Sequence, residues 1–181
     1  MRAGVPHRKA LKHIIERAIR LNGSIKRRFH LKTVITTGLT ALLATALPAA
    51  AQDGTPQPRL PEVRIQAGMH IIRAEVASTP GTQQMGLMYR QSLPLNGGML
   101  FAFGSAETHC FWMKNTPLPL TIAFIADDGR IVNLADMEPL NEASHCAAEP
   151  VRFALEMEQG WFARKGIKAG SQLVAPELFK P

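Results

Sequence analysis

The sequence has no uninterrupted run of twenty apolar residues, no G-x-S-x-G nucleophile elbow, no Gly-rich phosphate cradle and only two cysteines. A membrane-spanning helix needs roughly 20 apolar residues, so none is expected. The missing elbow and cradle leave no placed nucleophile and no nucleotide site: Ser92, Ser105, Ser144 and Ser171 have no base set beside them by any motif. Internal repeats, low-complexity tracts and alternation of strands with long helices are also missing, which disfavours a doubly wound parallel sheet.

Acid is almost absent from one part of the chain. Residues 1 to 51 hold ten Lys/Arg against Glu16 alone, a net +9, whereas residues 52 to 181 hold eleven against thirteen Asp/Glu, a net −2. The overall +7 and the pI of 9.9 therefore describe the leader and say nothing about partners. Lys26, Arg27, Arg28 and Lys32 precede an uncharged stretch from Thr33 to Ala51, with small residues at Ala49 and Ala51. This is the three-part form of a secretory signal peptide, with cleavage expected before Gln52 and a periplasmic or secreted product that meets the membrane only during export. Its apolar centre, Val34 to Leu47, is too short for a permanent anchor. Residues 1 to 30 are unusual ahead of such a leader, and a start at Leu31 gives a compact one.

Export frames the cysteines. In an oxidising compartment a Cys110–Cys146 disulfide is the first expectation, closing a loop of about 36 residues and contributing about 3 to 4 kcal/mol. The pairs His109-Cys110 and His145-Cys146 also suggest a tetrahedral zinc site, although neighbours on a strand face opposite ways. Met85 and Met88, spaced for one helix face, suggest either Cu(I) ligation or core packing.

Residues 52 to 61, with three prolines, read as an extended, mobile linker. Beyond it, residues 62–68 and 70–78 alternate as strands. Thr79-Pro80 starts a short helix that is expected to run to about Arg90. Met99 to Phe103 is a core strand, Cys110 to Met113 another, and Asp128-Gly129 turns a hairpin between Leu120–Ala126 and Arg130–Met137. Val151 to Met157 is a last alternating strand, with one more helical turn near Gly160 to Gly166. The expected fold is one mostly β domain over residues 62 to 181, a compact sandwich, jelly roll or barrel with one or two short helices.

The segments "MGLMYRQSL", "GGMLFAF", "FWMKNTPLPL", "IAFIADDGRIV", "FALEMEQGW" and "GIKAG", in this order and spacing, resemble the DUF192 (UPF0127) family of small bacterial and archaeal proteins. The resemblance covers about residues 62 to 175 and implies a compact, mostly β fold, often behind a signal peptide, with no established reaction. The family usually has an acid where this chain has Thr121 and often one where it has Ser171, so no mechanism can be built on a carboxylate there.

Trp112 and Lys114 on one strand face, with Asn115 and Arg90 nearby, suit a ligand such as a sugar or a carboxylate. Alternatively Lys114 pairs with Glu156 while Asn115 and Thr116 bond the turn before Pro117. Glu156 and Glu158, two apart, are candidates for the two carboxylates of a glycan hydrolase, or a solvated strand face. The reading preferred from sequence is a non-enzymatic binding or accessory module of the cell envelope, monomeric, contacting a small molecule or envelope component around Trp112, Lys114 and Arg90. A hydrolase of envelope glycans using Glu156 with Lys114, and a copper or zinc binder, are the alternatives; a water-open cleft holding Lys114 beside Glu156 would favour the hydrolase. No resident cofactor is expected, and scattered basic residues without interleaved aromatics argue against nucleic acid.

Overall fold

The computed structural model describes residues 54–180. The leader, the Leu31 start and cleavage at Ala51 lie outside the described residues. Among them no helix is long and apolar enough to cross a membrane.

Nine strands follow in chain order: β1 Glu62–Ala67, β2 His70–Ala77, β3 Gly97–Glu107, β4 Cys110–Phe111, β5 Leu120–Ile125, β6 Ile131–Met137, β7 His145–Cys146, β8 Val151–Glu158 and β9 Leu173–Val174. Two short helices, α1 Pro80–Met85 and α2 Trp161–Arg164, accompany them. Seven strands form one sheet in the order β6-β5-β8-β3-β2-β1-β9, and β4 and β7 form a separate two-stranded sheet. The large sheet curls into a half-barrel. Its ends are tied by the C-terminal segment: β9 pairs with β1, while Ile131 N donates to Ser171 O and Leu173 N to Gly129 O, each at 2.9 Å.

Curling gives the sheet two apolar faces. The inner face packs Ile65, Ile72, Leu100, Ile125, Leu155 and Met157 against Trp161, Phe162 and Phe179. The outer face packs Met99, Phe101, Ile122, Phe124 and Ala154 under Leu87, Met113 and Met137. Each large side chain so buried contributes about 2 kcal/mol. The central strand β8 is covered on both faces, so its alternation does not separate core from solvent.

One pairing in the large sheet is not antiparallel. β2 and β3 run parallel, with Glu75 opposite Met99, and α1 lies in the crossover between them. The Thr79 cap forms as expected, and Thr82 extends it to a capping box: Thr82 N donates to Thr79 Oγ1 at 3.3 Å and Thr79 N to Thr82 Oγ1 at 3.0 Å. The helix stops at Met85 rather than near Arg90, because Gly86 takes φ 49° and folds the chain back over Phe101. Gln57 Nε2 donates to the Thr82 and Gly86 carbonyls at 3.1 and 2.8 Å. The Pro-rich stretch read as a mobile linker is thus extended but pinned: Leu60 N donates to Glu75 Oε2 and Val76 N to Pro61 O, both at 2.8 Å.

Candidate functional site

A cavity of about 420 Å³ opens on the outer face of the sheet. Its floor is β3 and β8, one wall is α1 with the Gly86–Met88 turn, and the other is the segment His109–Thr116. That second wall is held from behind by the β4–β7 ribbon, in which Cys110 stands opposite Cys146 and the two form a disulfide. The zinc alternative is corrected by this bond, since neither sulfur is a thiolate.

Lys114-Asn115-Thr116 is a turn and not the strand expected to continue through Met113; β4 ends at Phe111. Asn115 adopts φ 56°, a conformation that asparagine tolerates well, and its carbonyl accepts from Tyr89 N at 2.7 Å. Thr116 N donates to Met113 O, and Leu140 N to Thr116 O, each at 3.0 Å. This turn, more than strand alternation, sets Lys114 Nζ 5.3 Å from the centre of the Trp112 ring. Trp112 is half exposed and Lys114 is exposed, so together they form the mouth of the cavity.

Glu156 lies at the floor, 4% exposed. Its strand neighbours in register are Met99 on β3 and Ile122 on β5, both fully buried. Gly98 lets β3 approach there, as a Cβ would collide with the Glu156 carbonyl. None of the ion pairs among the described residues includes Glu156 or Lys114, so the pairing of these two expected as an alternative does not form. Burial raises the Glu156 carboxyl from its ordinary 4.5 to about 8, so at neutral pH it keeps its proton.

Other candidates divide. Asn115 lines the cavity, its Nδ2 lying 3.9 Å from Met88 Sδ, and both Met85 and Met88 line it too. Arg90 does not: its Nη2 donates to Glu75 Oε2 at 3.0 Å beneath the Pro-rich stretch. Glu158, paired with Arg164 at 3.2 Å, is at the surface, leaving Glu156 the one acid among the lining residues. Thr121 is buried, its hydroxyl bonding the Asp136 carboxylate and accepting from Gly160 N at 3.0 Å. Ser171 Oγ accepts from Lys168 N at 3.0 Å. Both positions therefore hold local structure.

Sequence reasoning missed Gln83, Gln84 and the ring of Phe103, against which His109 stacks at 3.5 Å. It also missed the depth of Glu156. Part of the signal was present in "FALEM", where apolar residues precede the acid in both phases of the strand, although Glu158 follows it in its own phase.

Solved structures resemble this chain over most of their own length. One, from Sinorhizobium meliloti 1021, is named as a candidate transcription regulator; it is 34% identical with a TM-score of 0.65, over 67% of this chain and 99% of its own. Another, from Novosphingobium aromaticivorans DSM 12444, is a protein of unknown function, 33% identical with a TM-score of 0.60, over 77% of this chain and 100% of its own. None of the curated proteins compared matches the chain. The DUF192 family model, described as an uncharacterized ACR, matches residues 63–175, and the chain belongs to the DUF192 family.

Proposed function

We propose that the chain is an exported, non-enzymatic binding module of the cell envelope that holds a small molecule in the cavity between α1 and the Lys114 turn. The observation that carries this reading is the buried Glu156 carboxyl, which meets no ion-pair partner among the described residues and opens onto a cavity of small-molecule size. A protonated acid in an apolar floor both donates and accepts a hydrogen bond, and the aromatic walls supply contact area. The disulfide agrees with export. The name of the Sinorhizobium relative raises DNA binding, but here the charge beyond the leader is −2 and the helices span six and four residues, short for a groove-reading helix.

A second reading is hydrolysis of envelope glycans, with Glu156 as general acid, and the shared cavity of Glu156 and Lys114 favours it. Hydrolysis by a carboxylate pair requires a second acid within about 10 Å, and the lining supplies one only, so binding is preferred. Copper held by Met85 and Met88 is a third reading, since both line the cavity, and metal analysis of the purified protein tests it.

To test the binding reading, the purified protein is mixed with a cell-envelope extract, desalted under non-denaturing conditions and weighed by native mass spectrometry. A discrete small-molecule adduct is expected, and it should weaken in the Trp112→Ala/Lys114→Ala double variant, whose changes lie at the exposed mouth. No adduct, or equal binding by the double variant, refutes the reading.

A further inference from the structure

Away from α1 and the Lys114 turn, the outer face of the large sheet continues over β2, β1 and β9 and is uncovered there. Residues on one face of a strand recur at every second position. Here they are Ile71 and Arg73 on β2, Arg64 and Gln66 on β1, and Val174 on β9, all exposed. The register sets them side by side: Arg64 is opposite Arg73, and Gln66 pairs with both Ile71 and Val174. We infer that this surface docks the exported protein on a membrane that carries anionic phosphate headgroups, a contact beyond the passage its leader predicts. It is independent of what the cavity holds.

The first observation is the pair of like charges. Like charges directly opposite on neighbouring strands destabilise a sheet, and among the described residues neither guanidinium enters an ion pair. A phosphate placed against both replaces that repulsion with charge-assisted hydrogen bonds, which the planar guanidinium is well shaped to make. The second observation is apolar. Met69, at the β1–β2 turn, is 89% exposed, and Leu95, two residues before the Gly97 that stands in register with Arg73, is 85% exposed. With Ile71 and Val174 these are four of the six large apolar side chains exposed among the described residues. Apolar tips beside cationic groups match a layer of anionic headgroups over hydrocarbon.

The charge is local to this face. Arg59, Arg64, Arg73 and Arg90 against Glu62 and Glu75 leave +2 here, on a chain whose residues 52 to 181 carry −2. An anionic surface therefore attracts this face and not the domain as a whole. A second copy docked through the same patch about a two-fold axis brings arginine toward arginine. Protein interfaces are enriched in aromatic anchors, and the exposed apolar residues of this patch are aliphatic or methionine.

The test is flotation with lipid vesicles of a chain beginning at Gln52, which contains every described strand and helix and lacks the basic leader. Vesicles of phosphatidylcholine alone are compared with vesicles in which one lipid in three is phosphatidylglycerol. Each arginine near an anionic surface is worth about fivefold in partitioning, so the anionic vesicles should bind more than tenfold better, and less well as salt is raised. Arg64→Gln/Arg73→Gln should remove that preference, and Met69→Ser/Leu95→Ser should weaken flotation at least threefold with the charge unchanged. In the absence of lipid the arginine double variant should unfold at the same or a higher urea concentration, because it loses only a repulsion; a lower midpoint assigns the arginines to the fold and overturns the inference. So does equal flotation with both vesicles, no flotation, or flotation that survives the arginine changes. Binding to soluble polyglutamate as strong as to the anionic vesicles, and unaffected by Met69→Ser/Leu95→Ser, assigns the face to an acidic protein instead; complete release from vesicles by inorganic phosphate at constant ionic strength assigns it to a free anion.

Discussion

Replacing Glu156 by Gln should make the protein more stable in alkali and leave it nearly unchanged in acid. The carboxyl moves from 4.5 unfolded to about 8 folded, through burial. Between those two values the native state holds a proton that the unfolded state has lost, so stability falls as pH rises. The slope is about 1.4 kcal/mol per pH unit, which amounts to about 3 kcal/mol lost by pH 7 and about 4 kcal/mol by pH 8, levelling off near about 5 kcal/mol above that. Against a total of roughly 5 to 15 kcal/mol for a domain, that is a large fraction. Gln keeps the shape and one donor and does not ionise. Urea unfolding of both proteins at pH 5, 6, 7, 8 and 9 isolates the effect, because His109, Lys114 and Glu75 are common to both and cancel in the difference. The difference should be near zero at pH 5, grow to pH 8 and level off. If it is flat from pH 5 to 8, the carboxyl is ionised throughout or has a partner, and the account of the cavity floor is wrong.

Reducing the Cys110–Cys146 bond, or replacing both residues by Ser, should cost about 3 to 4 kcal/mol from the 36-residue separation, read as a lower urea midpoint, and should loosen the cavity wall; an unchanged midpoint refutes this. Arg90→Met leaves the Glu75 carboxylate with the Leu60 N–H and, as its one cation, the exposed Arg59 at 3.4 Å, so unfolding should show a loss of about 3 kcal/mol while any cavity ligand binds as before. Weakened binding in a folded Arg90→Met protein would return Arg90 to the site. Expressed with its leader in a Gram-negative host, the protein should appear in the periplasm with Gln52 as first residue by intact mass; fragments from residues 1 to 30 would sink the Leu31 start.

The fold was legible where one face of a strand meets water and where turn chemistry is local. Val63 and Ile65 alternate with exposed partners, Thr79-Pro80 caps α1, and Asp128-Gly129 turns the β5–β6 hairpin. It was illegible where a contact depends on a distant segment. The β2–β3 parallel pair needs the α1 crossover, β7 exists only opposite β4, and Gln57 reaches from the Pro-rich stretch to the Thr82 and Gly86 carbonyls at the end of α1. In the same way "FWMKNT" identifies the family while its members do different work: Phe111 packs edge-on against Phe101 and Phe124, Met113 is core, Asn115 makes the turn, and only Trp112 and Lys114 face the cavity mouth.

Two buried acids in one row of the sheet show most directly where fold ends and site begins. Glu75 on β2 and Glu156 on β8 flank Met99 on β3, each 4% exposed. Glu75 accepts from Leu60 N, Arg59 and Arg90, and these bonds hold the Pro-rich stretch and the segment after α1 against the sheet. Its burial is offset by the structure it organises. Glu156 has no such return: its neighbours in the sheet are Met99 and Ile122, and keeping it there costs several kcal/mol once the pH passes neutrality. A Gln, Met or Leu at that position would serve the fold at least as well. Structural economy therefore does not account for an acid at position 156, and that unexplained burial is the support the sheet lends to the proposed binding site above it.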